Sequence, residues 1–364
     1  MTPRERWVNT FTFKPVDRIP HEEFGYWSET LVRWHGQGLP ADIDSDWKAD
    51  RFFGFDPRDS LSVSTGMYPG FDYQVIEEKG SRRIIRDGDG AVCEVFTDGS
   101  SSIPRFIEYG IKTRDDWPRY RERLNPDTPG RYPDDWDAVV ARSQNRDCPL
   151  GIHMGGFYGS LRSWTGVERL SELFYEDPEL VHEMMEAVCE CMIGAAKRAL
   201  ETVQLDYASF WEDMAYNAGP LISPKHFEEF MVPRYKRVTG LLAAHGVKLN
   251  IVDCDGNINA LAPLWLKSGV NIMFPIEARA GTDPFEMRRR YGRDVLLLGG
   301  VDKMQLMRGR GAIDRELERL KPLVEQGGFI PHVDHRVPPD IPYADYRYYL
   351  ERKKRVLLGL QEQP

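Results

Sequence analysis

Short apolar runs that break abruptly into acidic or histidine residues recur along this chain, and they constrain its fold more than any other feature. The sharpest example is Val247-Lys248-Leu249-Asn250-Ile251-Val252, which gives way to Asp253-Cys254-Asp255-Gly256-Asn257. A parallel strand covered on both faces reads as such a run. A helix is expected from near Asn257, with Leu261, Leu264 and Trp265 at helical spacing. The pattern returns at residues 149–154, which end at His153 and Gly155-Gly156, and at residues 207–211, which run into Trp211-Glu212-Asp213. Residues 270–274 precede Pro275-Ile276-Glu277, and residues 295–298 precede Gly299-Gly300-Val301-Asp302-Lys303. Residues 328–331 lead into His332-Val333-Asp334-His335. Upstream, residues 19–27 read as a first strand that His21, Glu22 and Glu23 interrupt, and residues 61–64 as a weak second one. Eight strands alternating with helices predict a single (β/α)8 TIM barrel over residues 1–364.

The intervening stretches fit that frame. Residues 3–13 form an expected amphipathic helix carrying Trp7, Val8 and Phe11, stopped by Pro15. Asp177-Pro178 opens a long helix to about residue 200, Ser223-Pro224 caps another to about residue 245, and residues 343–358 form the last. Residues 71–97 alternate instead, around an Asp87-Gly88-Asp89-Gly90 hairpin turn, and predict an antiparallel β excursion inserted between barrel units. Two helices are expected within residues 113–145.

Composition narrows the function classes. A 41% hydrophobic, 29% charged chain is an ordinary globular one. Its net charge of -9 disfavours nucleic acid or an anionic membrane as a partner. The basic run Arg288-Arg289-Arg290 reads as a solvated helix face. Five cysteines form no C-x-x-C pair, which favours free thiols in a reducing compartment. With neither an apolar leader nor a run of about eighteen apolar residues, the expectation is a cytoplasmic protein.

The strand ends together carry His153, Glu212, Asp213, Asp253, Asp255, Glu277, Asp302, His332, Asp334 and His335. Capping explains any one of them, but unpaired buried carboxylates are costly, and so many at one end predict a polar cavity on the carboxyl face, with no substrate pocket opposite. Two chemistries suit it. Asp253, Asp255, Glu277 and His335 are a candidate metal set, since oxygen and imidazole donors suit zinc or a harder divalent ion. Gly256 would permit the kink that turns both aspartates inward. The bland counterpart is an acidic cluster neutralised by Arg279, Lys303 or Arg336. The other chemistry is metal-free proton transfer by Asp213, Glu212 and His153. Tyr26, Trp27, Trp211, Asp302, His332 and Asp334 are read as substrate contacts. No GxSxG elbow, Walker A loop or GxGxxG fingerprint occurs.

A set of motifs then carries a resemblance: Met1-Thr2-Pro3-Arg4-Glu5-Arg6, Pro15-Val16-Asp17-Arg18-Ile19-Pro20, Gly219-Pro220-Leu221-Ile222-Ser223-Pro224, Asp255-Gly256-Asn257, Gly299-Gly300-Val301-Asp302-Lys303 and Val337-Pro338-Pro339-Asp340-Ile341-Pro342. With these the chain resembles the uroporphyrinogen decarboxylase superfamily, which contains the decarboxylases of haem synthesis and the corrinoid-linked and thiol methyltransferases. The resemblance implies a (β/α)8 barrel. True uroporphyrinogen decarboxylases carry an Arg-Gln-Ala-Gly-Arg stretch that grips carboxylates. Here Phe24-Gly25-Tyr26-Trp27-Ser28-Glu29 stands in its place, without the bidentate guanidinium pair. The methyltransferase branch holds zinc with a His-x-Cys pair, a later Cys and an acidic residue, positions that fall on Asp253 and Asp255, His335 and Glu277. Without thiolates such a metal is the stronger Lewis acid, matched to an ether or phenolate oxygen.

The resemblance therefore implies a metal-assisted methyltransferase that moves a methyl group from a small methoxylated substrate to a corrinoid partner protein. This chain has no Asp-x-His-x-x-Gly motif, so cobalamin would come with the partner. The alternatives are a metal-free decarboxylase of a small or aromatic acid, and a non-catalytic tetrapyrrole- or corrinoid-binding barrel.

Overall fold

The computed structural model describes residues 1–97 and 103–360. Seven parallel strands stand side by side in chain order: β1 (Asp59–Leu61), β6 (Leu150–His153), β7 (Tyr207–Trp211), β10 (Leu249–Asp253), β11 (Ile272–Ile276), β12 (Leu296–Val301) and β13 (Phe329–Val333). Register sets their carboxyl ends on one rim: Asp253 lies opposite both Trp211 and Phe274, and His332 opposite Gly300. The fold is TIM-barrel-like.

Alternation along the strands sorts the side chains. Tyr207, Leu249, Ile251, Ile272, Leu296, Leu298 and Ile330 form an inner cluster with Trp7 and Phe11. Helix Pro3–Phe11 thus plugs the amino-terminal end, its own start fixed by a capping box in which Thr2 and Glu5 exchange side-chain and backbone bonds of 2.8 and 3.1 Å. Ala208, Phe210, Val252, Met273, Leu297 and Phe329 point outward into the helical layer. The largest helix there, Pro178–Thr202, is capped by Asp177, which accepts from the Leu180 amide at 3.0 Å.

The excursion is an antiparallel sheet of β2 (Gln74–Lys79), β3 (Arg82–Arg86), β4 (Val92–Phe96) and β5 (Arg105–Glu108), so it runs beyond residue 97. It leaves the carboxyl end of β1 and therefore belongs to the same side as the barrel mouth. A two-residue pair, β8 (Ala215–Tyr216) and β9 (Gly219–Pro220), follows β7.

Several expectations are corrected. Residues 19–27 make no barrel strand: their one bridge joins Tyr26 to Val337. A side chain stands in for the ladder there, the Val333 amide donating to Glu23 Oε2 at 3.1 Å, and one backbone bond, from the Asp56 amide to the His21 carbonyl at 2.8 Å, ties the segment on its other side. The helix after β10 starts at Ala262 and not near Asn257, because Asn257 Oδ1 ties back the Asn259 amide in a turn. Arg288 is not solvated. Its guanidinium is buried on the Gly292, Gly327 and Gly328 carbonyls, and only Arg289 and Arg290 pair outside with Glu286. The amino-terminal face carries a groove lined by Phe13, Lys248, Asn271, Arg293 and Asp294. Among the described residues no helix is long and apolar enough to cross a membrane.

Candidate active site

Above the inner apolar layer the lumen opens into a cavity of about 390 Å³. Arg58, Ser60, His153, Tyr207, Ser209, Trp211, Asp253 and Phe274 line it. Each comes from the inward face of a strand or its start, which is why they occur at every second position: 58 and 60, 207, 209 and 211. The His153 ring bonds Ser209 Oγ at 3.2 Å, and burial holds its pKa below the usual value, so the imidazole is neutral near pH 7. Burial, and then the charges of Asp213 and Asp255, push the Asp253 carboxyl far up, with Arg58 opposing.

Above this cavity the carboxylates form two trios of ligand atoms, each within 4.8 Å of one another: Asp255, Glu277 and His335, and Asp213, Asp253 and Asp255. The expected four-residue metal set is therefore divided. Three of its members gather, while Asp253 joins Asp213 and faces the lumen. In the first trio His335 Nε2 lies 3.2 Å from Asp255 Oδ2, its ring stacked on Trp27 at 5.8 Å and edge-on to Phe24 at 5.2 Å. Glu277 Oε2 accepts from the Gly256 amide at 2.6 Å. Gly256 makes this approach possible: its φ is +91°, and a Cβ there would lie 2.7 Å from the Tyr216 backbone. Gly299 has a comparable role on β12, where a Cβ would meet the Ile276 amide nitrogen at 2.8 Å.

Two hard oxygen donors and one imidazole, leaving further positions open, are a donor set that fits a catalytic divalent ion. Lys303 Nζ sits 3.6 Å from Glu277 and 3.7 Å from Asp334, supplying part of the positive charge the cluster needs. In the second trio Asp213 adopts φ +42°, and the guanidinium of Arg162 holds its carbonyl at 2.8 Å and its carboxylate at 3.4 Å. Arg162 also lies over the Trp211 ring at 4.9 Å. Burial first and Asp255 second raise the Asp213 pKa.

Other residues read as catalytic or substrate-contacting are engaged elsewhere. Glu212 is fully buried and caps helix Tyr158–Thr165, accepting from the Phe157 and Gly159 amides at 2.8 Å and from the Tyr235 hydroxyl. Burial raises its pKa to about 7 against those three donors. Tyr26 is a core residue bonded to the Tyr346 hydroxyl at 2.8 Å. Asp302 caps helix Lys303–Leu306 through the Met304 amide at 2.9 Å and also takes Gln305 Nε2 at 2.7 Å. His332 is buried on the Val333 carbonyl, its pKa lowered to about 3 by burial. Asp334 is buried with one oxygen on the Lys303 amide at 3.2 Å, and burial lifts its pKa to about 6. Trp27 and Trp211 do face the site. Cys254 points away, its buried sulfur accepting the Met214 amide at 3.3 Å. Arg58, Ser60 and Ser209 escape a reading based on strand ends because they lie at strand starts and middles. The alternation of Arg58 with Ser60 is the signal that would have found them.

Residues 101–356 match the model of the family described as Uroporphyrinogen decarboxylase (URO-D). The chain belongs to the URO-D family. A curated relative, the uroporphyrinogen decarboxylase of Myxococcus xanthus (strain DK1622), is 24% identical over 190 residues, 51% of this chain and 50% of that protein. The match thus spans about half the length of that relative. A methyltransferase from Methanosarcina mazei shares the fold of this URO-D chain, with a TM-score of 0.62 at 14% identity over 98% of this chain and 99% of that one. A B12-independent methionine synthase from Shewanella sp. W3-18-1 overlaps less, with a TM-score of 0.40 and 14% identity over 61% of this chain and 65% of that one.

Proposed function

We propose that this URO-D-family protein is a metal-assisted methyltransferase, taking a methyl group from a small methoxylated substrate and passing it to a corrinoid held by a partner protein. The observation that carries the reading is the convergence of Asp255, Glu277 and His335 above the lumen cavity. A divalent ion bound by these three would supply a Lewis acid for the substrate oxygen. Trp211 and Phe274 provide apolar walls that exclude water from the reacting bond. Asp253, the carboxyl group that reaches into the cavity, holds the proton the substrate oxygen takes up as its bond to the methyl carbon breaks. Trp27 and Phe24 fix the His335 ring, and Lys303 orients Glu277. A volume of about 390 Å³ is at the lower end of small-molecule pockets, roughly 300–1,000 Å³, and suits a single substituted ring.

The test is calorimetric titration of zinc, manganese and cobalt into chelator-treated wild type and His335→Ala. One ion should bind wild type, with affinity reduced at least about tenfold in the variant, since losing one donor of three removes at least about 1.4 kcal/mol. Equal binding in both, or none in either, would overturn the metal site. Methylation of reduced cobalamin by methoxylated aromatics, followed by absorbance, tests the reaction itself.

A further inference from the structure

The lumen cavity contains one arginine, and its bonding is incomplete. Arg58 reaches in from the residue before β1, over the Tyr207 ring at 5.6 Å. Its one ion pair among the described residues is with Glu22, at 3.8 Å, and it donates no hydrogen bond among them. Compare Arg131, whose guanidinium donates four bonds of 2.7–3.0 Å to backbone carbonyls. A guanidinium has five donors in a fork that matches a carboxylate, and it stays charged. Glu22 is loosely engaged from its own side too: the residue is 8% exposed and its Oε1 has no partner. The pair is therefore not a closed salt bridge.

The rest of the cavity is neutral at this depth. Ser60 follows on the same face of β1, Ser209 and His153 stand opposite each other in register, and the His153 imidazole is uncharged. The Tyr207 hydroxyl is committed to the Asp59 carbonyl at 2.8 Å. The carboxyl groups, Asp253 and Asp213, lie toward the mouth. The cavity runs from Tyr207 to Trp211, four residues along one strand, roughly 13 Å at about 3.3 Å per residue. It is thus a slot with a cation at the floor, aromatic walls and the acidic trios at the top.

We infer that Arg58, with Ser60 and Ser209, forms a carboxylate-binding subsite at the lumen floor, and that the substrate is a small aromatic acid with its carboxylate at Arg58 and its reacting group at the mouth. Only the identity of that reacting group, a methoxy oxygen, rests on the proposed methyl transfer; the subsite does not.

Binding is measured calorimetrically with the full-length, chelator-treated protein, using benzoate, benzamide, 4-methoxybenzoate and 4-methoxybenzamide. Wild type should prefer each acid over its amide by at least tenfold. Arg58→Gln should erase that preference and leave the amide affinities unchanged, and Arg58→Lys should retain part of it. If Arg58→Gln fails to fold, judged by circular dichroism, the double variant Ser60→Ala with Ser209→Ala should weaken the acids alone. Equal affinity for acid and amide in wild type, a preference that survives Arg58→Gln, or binding of none of the four would overturn the subsite. A preference for benzoate without any methyl transfer would sink only the reaction. Methyl transfer from neutral methoxybenzene with no preference for acids would sink only the subsite.

Discussion

His21 lies edge-on to Phe55 with ring centroids 4.8 Å apart, and neither of its ring nitrogens has a partner among the described residues. Burial holds its pKa well below the ordinary 6.5, and the charges of Lys353, Lys354 and Arg18 push the same way. The unfolded chain therefore takes up a proton below pH 6.5 that the folded chain refuses, so stability present above that pH is lost as the pH falls. Urea unfolding of wild type and His21→Leu at a series of pH values below 6.5 should show wild type losing stability relative to the variant toward acid; a constant difference would contradict it. Residue-scale function was legible where alternation decides direction. Asp253 and Asp255, two apart, both reach the mouth, while Cys254 between them is buried. It was not legible for Glu212 and Asp213, which are adjacent carboxylates with opposite fates, because the amides that claim Glu212 come from residues 157 and 159.

Those amides make helix Tyr158–Thr165 depend on a strand more than fifty residues away in the chain. Phe157 and the Tyr158–Thr165 helix offer no side-chain cap of their own, so the Glu212 carboxylate takes the donors that a helix start leaves open. Glu212→Leu would strand the Phe157 and Gly159 amides and the Tyr235 hydroxyl inside the protein. Each unsatisfied buried donor costs about 1–3 kcal/mol, and the relief from removing a buried acid offsets part of that. The expected net loss is at least about 2 kcal/mol in denaturant unfolding at pH 6, where the acid is still largely protonated; a loss under about 0.5 kcal/mol would show that the amides find other partners. Elements with their caps beside them in sequence were readable: Asp177-Pro178 and Ser223-Pro224 begin their helices as expected. Elements organised by distant side chains were not, and the first strand is the clearest case.

Barrel closure belongs to the whole molecule. Buried parallel strands announce themselves as apolar runs, so seven of the eight staves could be located in the sequence, within a few residues at their ends. The eighth position is filled by residues 19–27, and what fixes them is a polar clasp assembled from both chain ends. Glu23 Oε1 receives Lys353 Nζ and the Tyr349 hydroxyl, each at 2.7 Å, and its Oε2 receives the Val333 amide at 3.1 Å. Lys353 also donates to the Glu22 carbonyl at 2.7 Å, and the Glu23 and Lys353 side chains are both fully buried. Burial lowers the Lys353 pKa, with Glu23 opposing. A buried pair of this kind adds little over well-packed apolar residues, yet removing one partner costs about 3–5 kcal/mol because the other charge is left without compensation. Lys353→Met should therefore destabilise the protein by about that much. Glu23→Leu together with Lys353→Met should restore about half of the loss, since no stranded charge remains and only the Tyr349 hydroxyl and the Val333 amide lose an acceptor. Urea unfolding of the two single variants and the double variant measures the coupling. If the double variant loses the sum of the single losses, Glu23 and Lys353 act independently and the clasp does not close the barrel.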